Sequence, residues 1–300
     1  MNIIDGKKLA SSILENIREE ISKLDFVPVF CDVLVGNDPS SAQYVRMKAK
    51  TAESVGTKFH NANFPASITN EELIKEIKNL NKIKNMCGII VQLPLPEHLN
   101  RRAVLDSIDS HLDVDCLGTF ASEKFYNNYS NQTDLGYPTA LACMALLDSL
   151  NLDFTAKNII VLGKGELVGR PVKALLDLRG LSPIVVSSKT ENKEKLIKEA
   201  DVIISGMGKG KYITGDMIKN GAILIDAGTS EEVNGSPNVR TSIVGDVDLE
   251  SVKNIAGYVS PVPGGVGPVT VAMLLKNVLK VAQSLAKARA GSKIYESNNI

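Results

Sequence analysis

Three hundred residues, 44% apolar and 23% charged, suffice for two medium-sized globular domains with cores of their own. Lys plus Arg and Asp plus Glu balance at 34 each, which argues against a general affinity for nucleic acid or an anionic membrane surface. No apolar stretch of ~18 residues stands out and the first residues lack the pattern of a signal peptide, so a cytoplasmic protein without a membrane span is expected.

In chain order, "MNIIDGKKLASSILENI" reads as a strand and then a helix, with Leu9, Ile13, Ile17, Ile21 and Leu24 recurring every three or four residues. "VPVFCDVLVG" follows as a strand rich in Val and Phe. Asp38-Pro39-Ser40-Ser41 opens the next helix with polar caps and a proline in its first turn. After a strand near Thr57–Phe64, Thr69 and Glu72 have the spacing of a capping box for a helix to about Leu80. "CGIIVQ" is a short apolar strand of the kind buried on both faces of a parallel sheet. The polar run from Tyr126 to Thr133 reads as a surface loop, and "PTALACMALLDSL" as a helix leading into the second half. That half alternates "NIIVLG", "PIVVSS", "DVIISG" and "AILIDAG" with helical patterns, which points to a parallel sheet with crossover helices. A last helix is expected over residues 268–290, followed by a frayed polar tail.

The cysteines, Cys31, Cys87, Cys116 and Cys143, form no C-x-x-C pair, so reduced buried thiols are expected. His60, His98 and His111 have no metal-ligand spacing, and no metal site is expected.

"VLGKGELVGRP" places Gly163, Gly165 and Gly169 between a β-branched strand and a helix expected to start near Pro171. This strand–glycine–helix context is what pyrophosphate binding needs, because glycine lets the phosphates approach backbone N–H groups at the helix start. The spacing is one residue longer than the usual fingerprint, and a plain strand–helix connection is the alternative. The following strand ends in Ser187, Ser188 and Lys189, with no acid before Glu191, and Lys164 stands within the loop. A carboxylate there would repel a 2′-phosphate, whereas hydroxyls and lysines accept one. NADP is therefore favoured, with NAD as the alternative cofactor.

In the first half, Tyr44 and Lys48 are four residues apart on one helix and share a face. Taken alone they also fit a packed tyrosine beside a solvated lysine. "VQLPLP" ends a buried strand with Gln92 and Leu93 before a proline-rich turn, as if a carboxamide were held at the strand's carboxyl end. "LDVDCLG" supplies Asp113 and Asp115, either of which also suits a turn cap.

Taken together, "VGNDPSSAQYVRMKAK", "GIIVQLPLP", "DVD", the glycine turn and "SPVPGGVGPVT" resemble the bifunctional methylenetetrahydrofolate dehydrogenase/methenyltetrahydrofolate cyclohydrolase family from about Ile3 to Val281. The resemblance implies an α/β substrate domain over residues 1–137, completed by the helix at 268–290, and a Rossmann-like NAD(P)-binding domain over 138–267. It implies a homodimer that oxidises 5,10-methylenetetrahydrofolate with NADP and hydrolyses the methenyl product, in one-carbon metabolism. A single-activity or non-catalytic folate-binding or dinucleotide-binding relative is the alternative. By the same resemblance Lys48 serves catalysis, Gln92 is bonded to it, Tyr44 stacks on the folate and Asp115 anchors the pterin. Ser41 and Leu93 join the substrate site. Gly163, Lys164, Gly165, Val168, Gly169, Ser188 and Thr229 fall in the cofactor site, and Pro263, Gly264 and Gly265 approach both ligands through backbone.

The chain departs from the family pattern in several places. Lys164-Gly165 stands where Arg-Ser is usual, Ser187 replaces a histidine, and Cys116-Leu117 replaces Gly-Phe after the aspartates. Pro138-Thr139-Ala140 is one residue shorter than the usual segment, and Ser260 and Val269 replace a threonine and a methionine. These changes bear on cofactor discrimination and pocket packing and leave Lys48, Gln92, Asp115 and Tyr44 in place.

Overall fold

The computed structural model describes residues 1–232 and 242–297. The chain runs β1 (Asn2–Ile3), α1 (Gly6–Ser22), β2 (Val29–Val35), α2 (Pro39–Ser54), β3 (Lys58–Phe64), α3 (Asn70–Leu80), β4 (Met86–Val91), α4 (Arg101–Leu105), α5 (Thr119–Asn128) and α6 (Pro138–Asp148). It continues with β5 (Ile159–Leu162), α7 (Gly169–Leu178), β6 (Ile184–Val186), α8 (Lys193–Glu199), β7 (Val202–Ser205), β8 (Ile223–Asp226), β9 (Ser230–Glu232), β10 (Ser242–Val244), α9 (Leu249–Val252), β11 (Tyr258–Ser260) and α10 (Val266–Ser297). Two compact units result: one of residues 12–138 with the chain from Leu274 onward, the other of residues 1–11 with 139–273.

The first of these is built on a parallel three-stranded sheet in the order β3-β2-β4. β2 lies in the middle and every residue of β2 and β4 is buried, as a sheet covered on both faces requires. α3 buries Leu73, Ile77 and Leu80 on one stripe. Each such side chain contributes about 1.5–3 kcal/mol of hydrophobic stabilisation. Its start is the capping box expected from sequence: Thr69 Oγ1 accepts from Glu72 N at 3.2 Å, and Glu72 Oε2 accepts from Thr69 N at 2.9 Å.

The other unit carries a six-stranded sheet in the order β1-β11-β8-β7-β5-β6, with every pair parallel. β5, β7 and β8 are wholly buried. From β5 the chain winds one way to β6 and the other way to β7, β8 and β11, so the order reverses at β5. The loops after these strands share the sheet's carboxyl edge, where doubly wound sheets bind ligands. β9 and β10 form a separate antiparallel pair.

Four expectations need correction. Tyr126, Asn127 and Asn128 belong to the last turn of α5 rather than to a loop, because Phe125 is buried there and packs on Tyr126, Tyr129 and Tyr137 at centroid distances of 5.2, 4.9 and 5.0 Å. α7 starts at Gly169, since the backbone already turns helical before Pro171. α10 begins at Val266 and continues to Ser297, past the expected end at 290, while residues 298–300 lie outside the described part. The Val266–Ala290 part of this helix is also long and apolar enough to cross a membrane, against the expectation, but more than half of it is buried against protein.

Candidate functional site

β2 delivers Asp32 to the middle of the three-stranded sheet, and α2, the helix that follows, delivers Lys48. The helix is started by Asp38, which accepts from Ser41 N at 2.7 Å and is held below the usual carboxylate range by the Ser41 hydroxyl and amide. Ser41 is buried; Tyr44, one turn before Lys48, is 41% exposed, so its ring is available to a flat ligand. Lys48 is buried, and its Nζ lies 2.8 Å from Gln92 Oε1 and 2.6 Å from Asp32 Oδ2.

Gln92 directly follows β4, where its N–H still donates to Val33 O of β2 at 2.8 Å. Its Nε2 donates to Leu93 O at 3.1 Å, which leaves Oε1 facing the lysine. Leu93–Pro94 is a cis bond.

The stretch around Asp113 runs beside β4: Ile89 N donates to Leu112 O at 2.8 Å, and Ile89 and Asp113 form a parallel bridge. The close approach requires Gly88, because a β-carbon there would stand 2.9 Å from Val114 Cγ1 and from Val278 Cγ2. Asp113 closes its own turn by accepting from Gly118 N at 2.7 Å, and burial pushes its carboxyl up to about 6 against the pull of the turn's amides. Asp115 instead feels the charge of the lysine. Burial pushes its carboxyl up to about 7, the Lys48 ammonium opposes that shift, and Asp113 and Asp32 reinforce it. Cys116 takes a left-handed backbone, φ 60°, at the position where the family pattern has glycine, and its side chain is fully buried.

Two contributors escape the sequence reading. Asp32 is an acid inside an apolar strand, the one signal that "VFCDVLV" carries beyond strand propensity. Asn277 is a fully buried amide in the apolar α10, and its Nδ2 donates to Val114 O at 2.8 Å and to Gly136 O at 2.7 Å. It thereby fixes the turn that carries Asp115.

In the six-stranded unit the glycine loop joins β5 to α7. Gly163 has φ +100°, and a β-carbon on it would meet Gly206 O at 2.8 Å. On Gly169 a β-carbon would lie 2.1 Å from Gly163 O. These two glycines are demanded by the fold, whereas Gly165 has nothing within 4 Å of its β-carbon position. Val168 precedes the first turn of α7, and no side chain caps that turn. Its N–H groups are thus suited to an anion. Ser188, Lys189 and Lys164 are exposed around the loop, as is Thr229 after β8.

The β7 and β8 loops are held by buried carboxylates that the sequence reading also missed. Asp246 accepts from Ser205 Oγ at 2.6 Å, Met207 N at 2.7 Å and Lys209 N at 2.6 Å. Asp226 accepts from Gly228 N at 2.9 Å and Val247 N at 2.9 Å, and burial pushes it up to about 6. After β11, Pro263 is exposed, Gly264 has φ +108°, and Gly265 lies so close to Pro261 that a β-carbon would stand 2.6 Å from its O. Ligand approach was the reason expected for small residues here; chain packing alone already requires glycine at 265.

Both units find their counterparts among known proteins. Residues 4–115 match the catalytic domain of tetrahydrofolate dehydrogenase/cyclohydrolase, and residues 137–286 match its NAD(P)-binding domain. The bifunctional protein FolD of Nitratiruptor sp. is 40% identical over 287 residues, covering 94% of this chain and 98% of that protein. The bifunctional FolD structure from Campylobacter jejuni superposes with a TM-score of 0.87 at 35% identity, covering 95% and 99% of the two chains. The Trypanosoma brucei methylenetetrahydrofolate dehydrogenase-cyclohydrolase, solved with NADP and an inhibitor, gives 0.88 at 34% identity over 94% and 97%. The chain belongs to the tetrahydrofolate dehydrogenase/cyclohydrolase family.

Proposed function

We propose that this protein oxidises 5,10-methylenetetrahydrofolate to the 5,10-methenyl form with NADP and hydrolyses that product to 10-formyltetrahydrofolate. The observation that carries the reading is the buried Lys48 bonded to Gln92, in a chain whose two parts match both domains of the family.

Loss of hydride from the methylene bridge is pushed by a folate nitrogen lone pair and needs alignment rather than a protein base. Orientation of this kind lowers a barrier by roughly 7–11 kcal/mol. Tyr44 supplies a face for the folate ring system, and Asp115, with its raised affinity for a proton, suits the hydrogen-bonding edge of a pterin. Ser41 and Leu93 complete the assigned substrate contacts on this unit. NADP, when bound, supplies the hydride acceptor. The uncapped start of α7, with Gly163, Gly165, Val168 and Gly169, fits its pyrophosphate; Lys164 and Ser188 fit the 2′-phosphate, and Thr229, Pro263, Gly264 and Gly265 line the rest.

In the second step water adds to the cationic bridging carbon. Lys48 as a neutral amine takes one proton from that water and delivers it to the pteridine ring nitrogen as its bond to the bridge breaks. The second water proton leaves to solvent, and the formyl group stays on the other nitrogen. Gln92 holds Lys48 throughout without adding charge, accepting from the ammonium or the amine.

We assign folate handling to residues 1–137 with the helix at 268–290, and dinucleotide handling to residues 138–267, in a cytoplasmic homodimer, as the family resemblance implies. One spectrophotometric assay tests the activity: with methylenetetrahydrofolate and NADP, methenyl absorbance rises and then decays. Absence of both phases refutes the reading.

A further inference from the structure

Asp32 is the residue in the site that nothing above employs. It is fully buried in the central strand, and among the described residues neither carboxylate oxygen receives a hydrogen bond. Its Oδ2 lies 2.6 Å from Lys48 Nζ. An ionised carboxylate enclosed in this way needs a cation beside it, and a removed partner leaves an uncompensated buried charge. Burial raises its carboxyl and Lys48 opposes that shift.

Lys48 therefore has two partners from neighbouring strands of one sheet, Asp32 on β2 and Gln92 just past β4. Gln92 takes one N–H of the ammonium as a hydrogen bond, and Asp32 adds an ion pair at 2.6 Å. The other titratable group in its field is Asp115 on the turn after α4, whose carboxyl Lys48 opposes in its upward shift, and Gln92 just past β4 adds a neutral amide.

Resting on the functional reading above, we propose that Asp32 is a positioning residue that clamps Lys48 against Gln92 and keeps it protonated until a cationic folate intermediate occupies the site. Hydride loss creates that cation. A second positive charge competes with the ammonium for the same carboxylates, so Lys48 sheds its proton to solvent when water activation begins. The clamp thus ties water activation to the arrival of the cationic intermediate.

The test compares the unaltered protein with Asp32→Asn through two pH profiles. One is the rate of methenyltetrahydrofolate hydrolysis. The other is acylation of Lys48 by acetic anhydride, followed by mass spectrometry of its peptide, which needs no folate activity. Removing the anion is expected to move the acidic limb of both profiles to lower pH by about one unit or more, the size of shift an adjacent opposite charge produces. An acylation limb that stays in place overturns the proposal, even if the variant turns over more slowly, because a merely structural role changes rates without moving the limb. Absent hydrolysis in the unaltered protein with a displaced acylation limb would instead refute the functional reading and leave the clamp standing. Asp32→Ser serves in the same two measurements if the asparagine variant does not fold.

Discussion

Lys48 Nζ and Gln92 Oε1 meet at 2.8 Å although the residues stand 44 positions apart, one on a helix and one at a strand end. The pairing makes Lys48 the group on which hydrolysis depends, while hydride transfer depends on alignment. Lys48→Met is expected to abolish methenyltetrahydrofolate hydrolysis and to reduce methylenetetrahydrofolate oxidation far less. Separate assays of the two steps check this, and full hydrolysis by the variant rejects the assigned role. The same substitution strips Asp32 of its cation, so the thermal midpoint should fall as well, and more so as pH rises above the ordinary carboxylate range, where the unfolded chain's carboxyl is ionised.

Asp115 links function to stability through pH. Its folded carboxyl is raised to about 7 from an ordinary 3.8, so the folded state binds a proton more tightly than the unfolded state does. The associated stability is fully present below about pH 4 and is withdrawn as pH climbs toward 7. Asp115→Asn removes that penalty. Its thermal midpoint relative to the unaltered protein is expected to rise between pH 4 and pH 8, while the KM for folate increases at least tenfold if Asp115 contributes about 1.4 kcal/mol of binding. Melting curves at pH 5 and pH 8 decide the first part; an advantage that shrinks at pH 8 contradicts it.

Lys164 is exposed in the glycine loop, and Ser188 and Lys189 are exposed at the end of β6. Lysine offers a point charge rather than a planar fork. Lys164→Ala should therefore raise the KM for NADP more than that for NAD. Equal effects on the two cofactors would remove Lys164 from the 2′-phosphate.

The loop glycines separate folding from binding. A β-carbon at Gly169 would sit 2.1 Å from Gly163 O, so Gly169→Ala is expected to cost about 1–3 kcal/mol of stability. Gly165→Ala meets nothing within 4 Å and should leave the unfolding midpoint unchanged while weakening dinucleotide binding. Denaturant unfolding and cofactor titration of both variants test the contrast; a loss of stability at position 165 would show that its freedom from the fold is wrong.

Much of this protein was legible from local pattern. Apolar runs, the Thr69–Glu72 box and the Asp38 cap act within a few residues, and so they marked α3, α2 and the parallel strands directly. The i, i+4 spacing likewise put Tyr44 and Lys48 on one helix face. Tertiary structure decided the rest, because it depends on groups far apart in the chain. Only folding shows that Asp32 is paired with Lys48, that Asp113 closes a turn, and that Asn277 ties down that turn from another helix. Burial is the physical reason: an Asp or Asn in a one-dimensional string carries no sign of the low dielectric that will make its partner obligatory.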